Sequence, residues 1–110
     1  MIDLTQEECR PCEEKGFPPL TNEQAQDFMM HVPLWRMNAS ATEIERTLTF
    51  KDFKDALAFV NSVGALAQEE GHHPDIILSW GKVVLKLSTH SIGGLSENDF
   101  ILASKIDLLG

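Results

Sequence analysis

Apolar and polar positions alternate along three stretches of the chain. Ile44, Leu48 and Phe50 interleave with Glu45, Thr47 and Thr49; Ile76, Leu78 and Trp80 form a second run; Val83, Leu85 and Leu87 form a third. A period of two is the signature of a strand with one face buried. Arg46 breaks the first run, because it stands where an apolar residue is expected. Between the first two runs the period changes. Phe53, Ala56, Leu57, Val60, Val63, Gly64 and Ala67 recur at three and four, a core-facing helical stripe. Gly71 suits the left-handed residue that ends such a helix.

The flanks complete the set. Thr21-Asn22-Glu23-Gln24 has the form of a capping box, predicting a helix to about His31 that Pro33 stops. Leu34 to Met37 reads as a short strand. Ser96-x-x-Asp99 is a second capping box, opening a last helix with Phe100, Ala103 and Ile106 inward. The order is α-β-β-α-β-β-α. It predicts an α+β fold, a four-stranded antiparallel sheet with three helices packed on one face. Residues 1–20, with Pro11, Gly16, Pro18 and Pro19, read as an irregular N-terminal arm, and 21–110 as a single domain.

The 110 residues suffice for one core without covalent staples. Nine basic against seventeen acidic side chains give a net charge of −8, with no basic stripe. That balance argues against direct contact with nucleic acid or an anionic membrane. No apolar run approaches a membrane span of about 18 residues, and the N-terminus does not read as a signal peptide. A cytoplasmic protein with reduced thiols is the expectation.

Three of the four histidines fall near strand ends: His72 and His73 before Pro74, and His90. A two-residue turn at Gly81-Lys82 would pair Trp80 with Val83, Leu78 with Leu85 and Ile76 with Leu87. Carried back, that register sets His73 opposite His90, about 5 Å apart at Cβ. Parity places both on the face away from the core, sends His72 to the core side, and makes Trp80 a core residue. A single histidine near a strand end is usually a polar surface residue; a pair with a register-matched third points to a cluster. Such imidazoles could hold Zn²⁺. They could equally move protons, since histidine has the ordinary pKa nearest neutrality.

The motif then becomes specific. HHP, Trp80, His90 and Asp99 at these spacings, with CRPCEEKGFPPL, FKDFKDALAFVNSV, EEGHHPDI, WGKV, STH and GGLSENDFILASKID, resemble the pterin-4a-carbinolamine dehydratase family over nearly the whole chain. The resemblance implies an α+β fold, no metal and no organic cofactor. It implies dehydration of 4a-hydroxytetrahydrobiopterin to quinonoid dihydrobiopterin, which recycles the pterin of aromatic amino-acid hydroxylases. By the same resemblance His72 and His90 transfer protons, His73 chiefly binds the pterin, and Pro74, Thr89, Ser91 and Ile92 shape the pocket. It also implies a homodimer or homotetramer, with a phenylalanine hydroxylase or a transcription factor as partner. The alternative is a protein-interaction module with a secondary pterin site.

Some positions need separate weighing. The family signature commonly has an acid four residues before the first histidine, where this chain has Gln68. Asp99 matches the motif yet is first of all a helix cap, with a supporting role in the site. Cys9-x-x-Cys12 lacks the second pair that a tetrahedral zinc site needs, and reads as an inert pair. His31 reads as a cation favoured by a helix C-terminus.

Overall fold

The computed structural model describes residues 4–7 and 18–109. The Cys9-x-x-Cys12 pair lies outside them. Helix α1 (Asn22–Met29) precedes strands β1 (Arg36–Met37) and β2 (Ile44–Thr49). Helix α2 (Phe53–Glu70) leads to β3 (Asp75–Ser79), β4 (Lys82–Leu87) and helix α3 (Glu97–Asp107). The α-β-β-α-β-β-α order is the one that the hydropathy pattern predicts. The four strands form one sheet in the order β1-β2-β4-β3, every neighbouring pair antiparallel. Among the described residues no helix is long and apolar enough to cross a membrane.

Local chemistry accounts for the helix ends. The Gln24 side chain accepts from the Thr21 N–H at 2.9 Å, while the Gln24 N–H donates to Thr21 Oγ1 at 3.1 Å. This reciprocal pair satisfies two of the backbone donors that a helix start leaves open. Asp52 caps α2 by accepting from the Asp55 N–H at 2.8 Å. Gly71 ends α2 at φ 70°, a left-handed conformation in which a Cβ would be strained.

The core lies between the helices and one sheet face. Ile44, Val83, Leu85 and Leu87 are fully buried, as are Phe100, Leu102 and Ile106 of α3. The Phe28 and Phe100 rings stack at a centroid distance of 5.2 Å. Leu4, in a short 3-10 turn (Leu4–Gln6), is buried in the same core. Arg46 now has its explanation. Its Nη1 lies 2.6 Å from Asp107 Oδ1, and the same oxygen accepts from Trp35 Nε1 at 2.9 Å. A charge on the inner face is tolerated because α3 brings a carboxylate to it.

Three expectations need correction. Strand β1 covers only Arg36–Met37, not the run from Leu34. On α2 the buried residues are Ala56, Phe59, Val63 and Ala67, whereas Phe53 and Leu57 stay 44% and 39% exposed. The apolar band is wider than the surface available to cover it, so its Phe53-Leu57 flank is left over while Phe59 turns inward. The hairpin turn is Trp80-Gly81, because Ser79 pairs with Lys82 and Leu78 with Val83. Trp80 therefore sits in the turn and is 68% exposed, not core. The neighbouring strand decides this. Gly81 O accepts from the Phe50 N–H at 2.8 Å, and a Cβ at Gly81 would stand 2.9 Å from Phe50 O. Only glycine allows that approach, so Gly81 is held at the turn and the register shifts by two. A shift of two preserves parity, and the faces remain those predicted.

Candidate active site

Asp99 lies in the first turn of α3 and is fully buried. Its two oxygens are divided between two tasks. Oδ2 accepts from the Ser96 N–H at 2.9 Å and from Thr89 Oγ1 at 2.8 Å. The first of these is the carboxylate arm of the predicted capping box. Oδ1 lies 2.6 Å from His72 Nε2, 27 residues away in sequence. The Thr89 hydroxyl gives its single proton to Asp99, so in its 2.7 Å contact with Ser96 Oγ it accepts from the serine hydroxyl. Against a carboxylate, Nε2 of His72 carries the proton and donates. That fixes the ring orientation and leaves Nδ1 without a partner among the described residues.

His72 reaches Asp99 because of how α2 ends. The N–H groups of Gly71 and His72 both donate to Ala67 O, at 2.9 and 3.3 Å, so the chain reverses tightly before β3 begins. Extending the register Asp75–Lys86 back past β3 brings His72 level with Thr89 and His73 level with Ser88. The expected opposition of His73 and His90 is therefore absent, a direct consequence of the shifted turn. His73 is exposed, and its Nε2 lies 3.1 Å from Gln68 Oε1, one turn back in α2. Gln68, where the sequence resemblance leads to the expectation of an acid, is thus a neutral amide in contact with this imidazole.

His90 opens a 3-10 turn (His90–Ile92) that Gly93 closes at φ 70°. Thr89 and Gly94 bridge the base of this loop, with the Thr89 N–H donating to Gly94 O at 2.8 Å. The His90 ring is exposed and lines a cavity of about 300 Å³. Thr89, on the same wall, joins that cavity to the Asp99 network. His72 and His73 are not among its lining residues. Among the described residues no three His, Cys, Asp or Glu side chains converge as metal ligands. Another part of the wall comes from the β1–β2 connection, through Asn38, Thr42 and Glu43. Sequence reasoning missed these residues. Their one advance signal is the turn-forming run Asn38-Ala39-Ser40, which carries no chemical motif.

Comparison with known proteins decides the family. The family model described as pterin 4 alpha carbinolamine dehydratase matches residues 18–109. The chain belongs to the pterin-4a-carbinolamine dehydratase family. A protein of Methylococcus capsulatus, provisionally named pterin-4-alpha-carbinolamine dehydratase, is 48% identical over 106 residues, 96% of this chain and 92% of the relative. One from Halorhodospira halophila with the same provisional name is 45% identical over 109 residues, 99% of each chain. The crystal structure of a transcriptional coactivator/pterin dehydratase from Brucella melitensis matches with a TM-score of 0.77 at 27% identity, covering 83% of this chain and 97% of that one. A pterin dehydratase-like protein identified as a RuBisCO assembly factor in the alpha-carboxysome shares the fold alone, with a TM-score of 0.60 at 24% identity over 72% of this chain and 92% of its own.

Proposed function

We propose that this protein dehydrates 4a-hydroxytetrahydropterins to quinonoid dihydropterins by histidine acid–base catalysis, without metal or organic cofactor. The supporting observation is the His72-Asp99-Thr89-Ser96 network, buried except for part of His72 and joined through Thr89 to the cavity that His90 lines. In the reaction the C4a–O bond breaks, the hydroxyl leaves as water with one added proton, and N5 loses its proton as the C4a=N5 bond forms. Hydroxide is a poor leaving group and water a good one. A general acid at the 4a oxygen therefore contributes to the rate, typically about 10²–10⁴-fold. His90 is placed in this reading at the departing oxygen, and Nδ1 of His72 exchanges the second proton. Asp99 holds the His72 tautomer and is a positioning residue. His73, with Gln68, binds the ring system, and Pro74, Ser91 and Ile92 shape its surroundings.

The test is a stopped-flow assay of 4a-hydroxytetrahydropterin dehydration with the uncatalysed rate subtracted. Acceleration that falls in both His72→Ala and His90→Ala variants supports the reading. A folded wild-type protein that leaves the rate at background sinks it.

One observation favours a second, compatible role. The Phe53-Leu57 flank of α2 is apolar and uncovered, and so is Ile77, 48% exposed on the outer sheet face. Self-association into a dimer or tetramer would cover such surface. Light scattering at micromolar concentration should give a mass above 12.3 kDa per particle; a strict monomer contradicts it.

A further inference from the structure

The cavity beside His90 has an acidic wall that the sequence motif does not include. Half of the polar side chains around it are already engaged. Asn38 Oδ1 accepts from the N–H groups of Thr42 and Glu43 at 2.8 and 3.1 Å, and Asn38 Nδ2 donates to Thr42 Oγ1 at 2.9 Å. Thr89 Oγ1 is taken by Asp99 and Ser96. The groups left for a ligand are the His90 ring, the Ser88 hydroxyl and the Glu43 carboxylate. Glu43 is half-buried, and among the described residues no side chain pairs with its carboxylate. No lysine or arginine lines the cavity. The β2–β4 register, carried one residue past Ile44–Leu87, sets Glu43 beside Ser88, two residues before His90. The Asn38 hydrogen bonds clip the loop that presents Glu43, so its backbone is organised before a ligand arrives.

We infer that Glu43 is a specificity-determining residue that reads the amino-pyrimidinone edge of the substrate. This rests on the dehydratase reading and deepens it. A carboxylate accepts two parallel hydrogen bonds from adjacent N–H donors. The pyrimidine ring of a pterin offers such a pair in its ring N3–H and its 2-amino group. At about 300 Å³ the cavity falls at the low end of small-molecule sites, about 300–1,000 Å³, a size suited to a compact bicycle. With Glu43 on the donor edge, the bicycle lies across the cavity toward His90. Glu43 thereby selects ligands that carry the 2-amino group without taking part in proton transfer.

The experiment compares 7,8-dihydropterin, which has no 4a-hydroxyl to lose, with its 2-desamino counterpart. Binding to the wild type, Glu43→Gln and Glu43→Asp is measured by calorimetry, alongside dehydration kinetics and thermal melting. The wild type should prefer the amino compound by about ten- to hundredfold, the range for hydrogen bonds to a charged group. Glu43→Gln should lose most of that preference and raise KM, with kcat and Tm nearly unchanged. Glu43→Asp should keep part of the preference. A Glu43→Gln variant that retains the wild-type preference and KM overturns the inference while the dehydratase reading stands. Amino-selective binding abolished by Glu43→Gln, in a wild type that does not accelerate dehydration, supports the site and sinks the reaction. A wild type that binds neither compound overturns the inference, and if it also leaves dehydration at background it overturns both.

Discussion

Replacing Asp99 by Asn removes one charge and almost no volume, so it isolates what the carboxylate does. Three donors converge on it: His72 Nε2–H at 2.6 Å, the Thr89 hydroxyl at 2.8 Å and the Ser96 N–H at 2.9 Å. An amide offers one oxygen and one NH₂, so at least one of these donors must face another donor. The Ser96 N–H cannot be reoriented without breaking the helix start, which keeps the amide oxygen on that side. The NH₂ then faces His72, whose ring must present a lone pair at Nε2 and move its proton to Nδ1. The partly buried charge-assisted bond at His72 is lost, and the amide exchanges bonds at little gain. A cost of about 1–3 kcal/mol follows. In a domain near 100 residues each kcal/mol lowers Tm by about 4–8 °C. Dehydration should fall on the order of 10²-fold in kcat, because His72 enters the reaction with the wrong nitrogen protonated. The control is Ser96→Ala, which removes a capping hydroxyl at about 0.5–2 kcal/mol but leaves the Asp99–His72 contact in place. It should melt lower and keep kcat within a few-fold. Stopped-flow dehydration and calorimetric melting read both effects. An Asp99→Asn variant with lowered Tm and wild-type kcat would refute the coupling to His72 and leave Asp99 as a helix cap alone.

His90→Ala should lower kcat by about 10²-fold or less while Tm hardly moves, since the ring is exposed; unfolding with full kcat would make His90 structural. His73→Ala should mainly raise KM, the mark of an interaction made equally in ground and transition states; a fall in kcat at constant KM would contradict that role. Gly81→Ala should destabilise by about 1–3 kcal/mol in urea titration, because its Cβ would press on Phe50 O at 2.9 Å, a backbone atom that cannot swing away; an unchanged midpoint would show that the hairpin relaxes freely. Dialysis against a chelator should leave the dehydration rate intact, and a large loss restored by zinc would overturn the metal-free mechanism.

Two helix starts and one helix end were legible before the fold was known. Thr21 and Gln24 meet three residues apart, Ser96 and Asp99 likewise, and Gly71 ends α2 by its own φ. Capping and left-handed termination involve only neighbours, so a short stretch of chain determines them. Strand faces were legible for a similar reason: parity survives any register shift of two, and Val83, Leu85 and Leu87 are buried as predicted. The HHP motif pointed to the candidate site through family resemblance, while its geometry stayed hidden. Strand order, with β4 beside β2 and β3 at the edge, depends on which hairpin surface buries most against the helices. The turn at Trp80-Gly81 is set by Phe50, some thirty residues upstream, and with it the absence of a His73–His90 pair. Arg46 looked like an interruption until α3 brought Asp107 to it, 61 residues on. Asp99 reads as a cap because its near partner is Ser96; its far partner His72 appears only when α2 and α3 pack together. Glu43 carries no motif at all, and becomes a wall of the cavity through the β2–β4 register. Short-range hydrogen bonding is written into adjacent residues, but contacts between distant ones are chosen by the packing of the whole core.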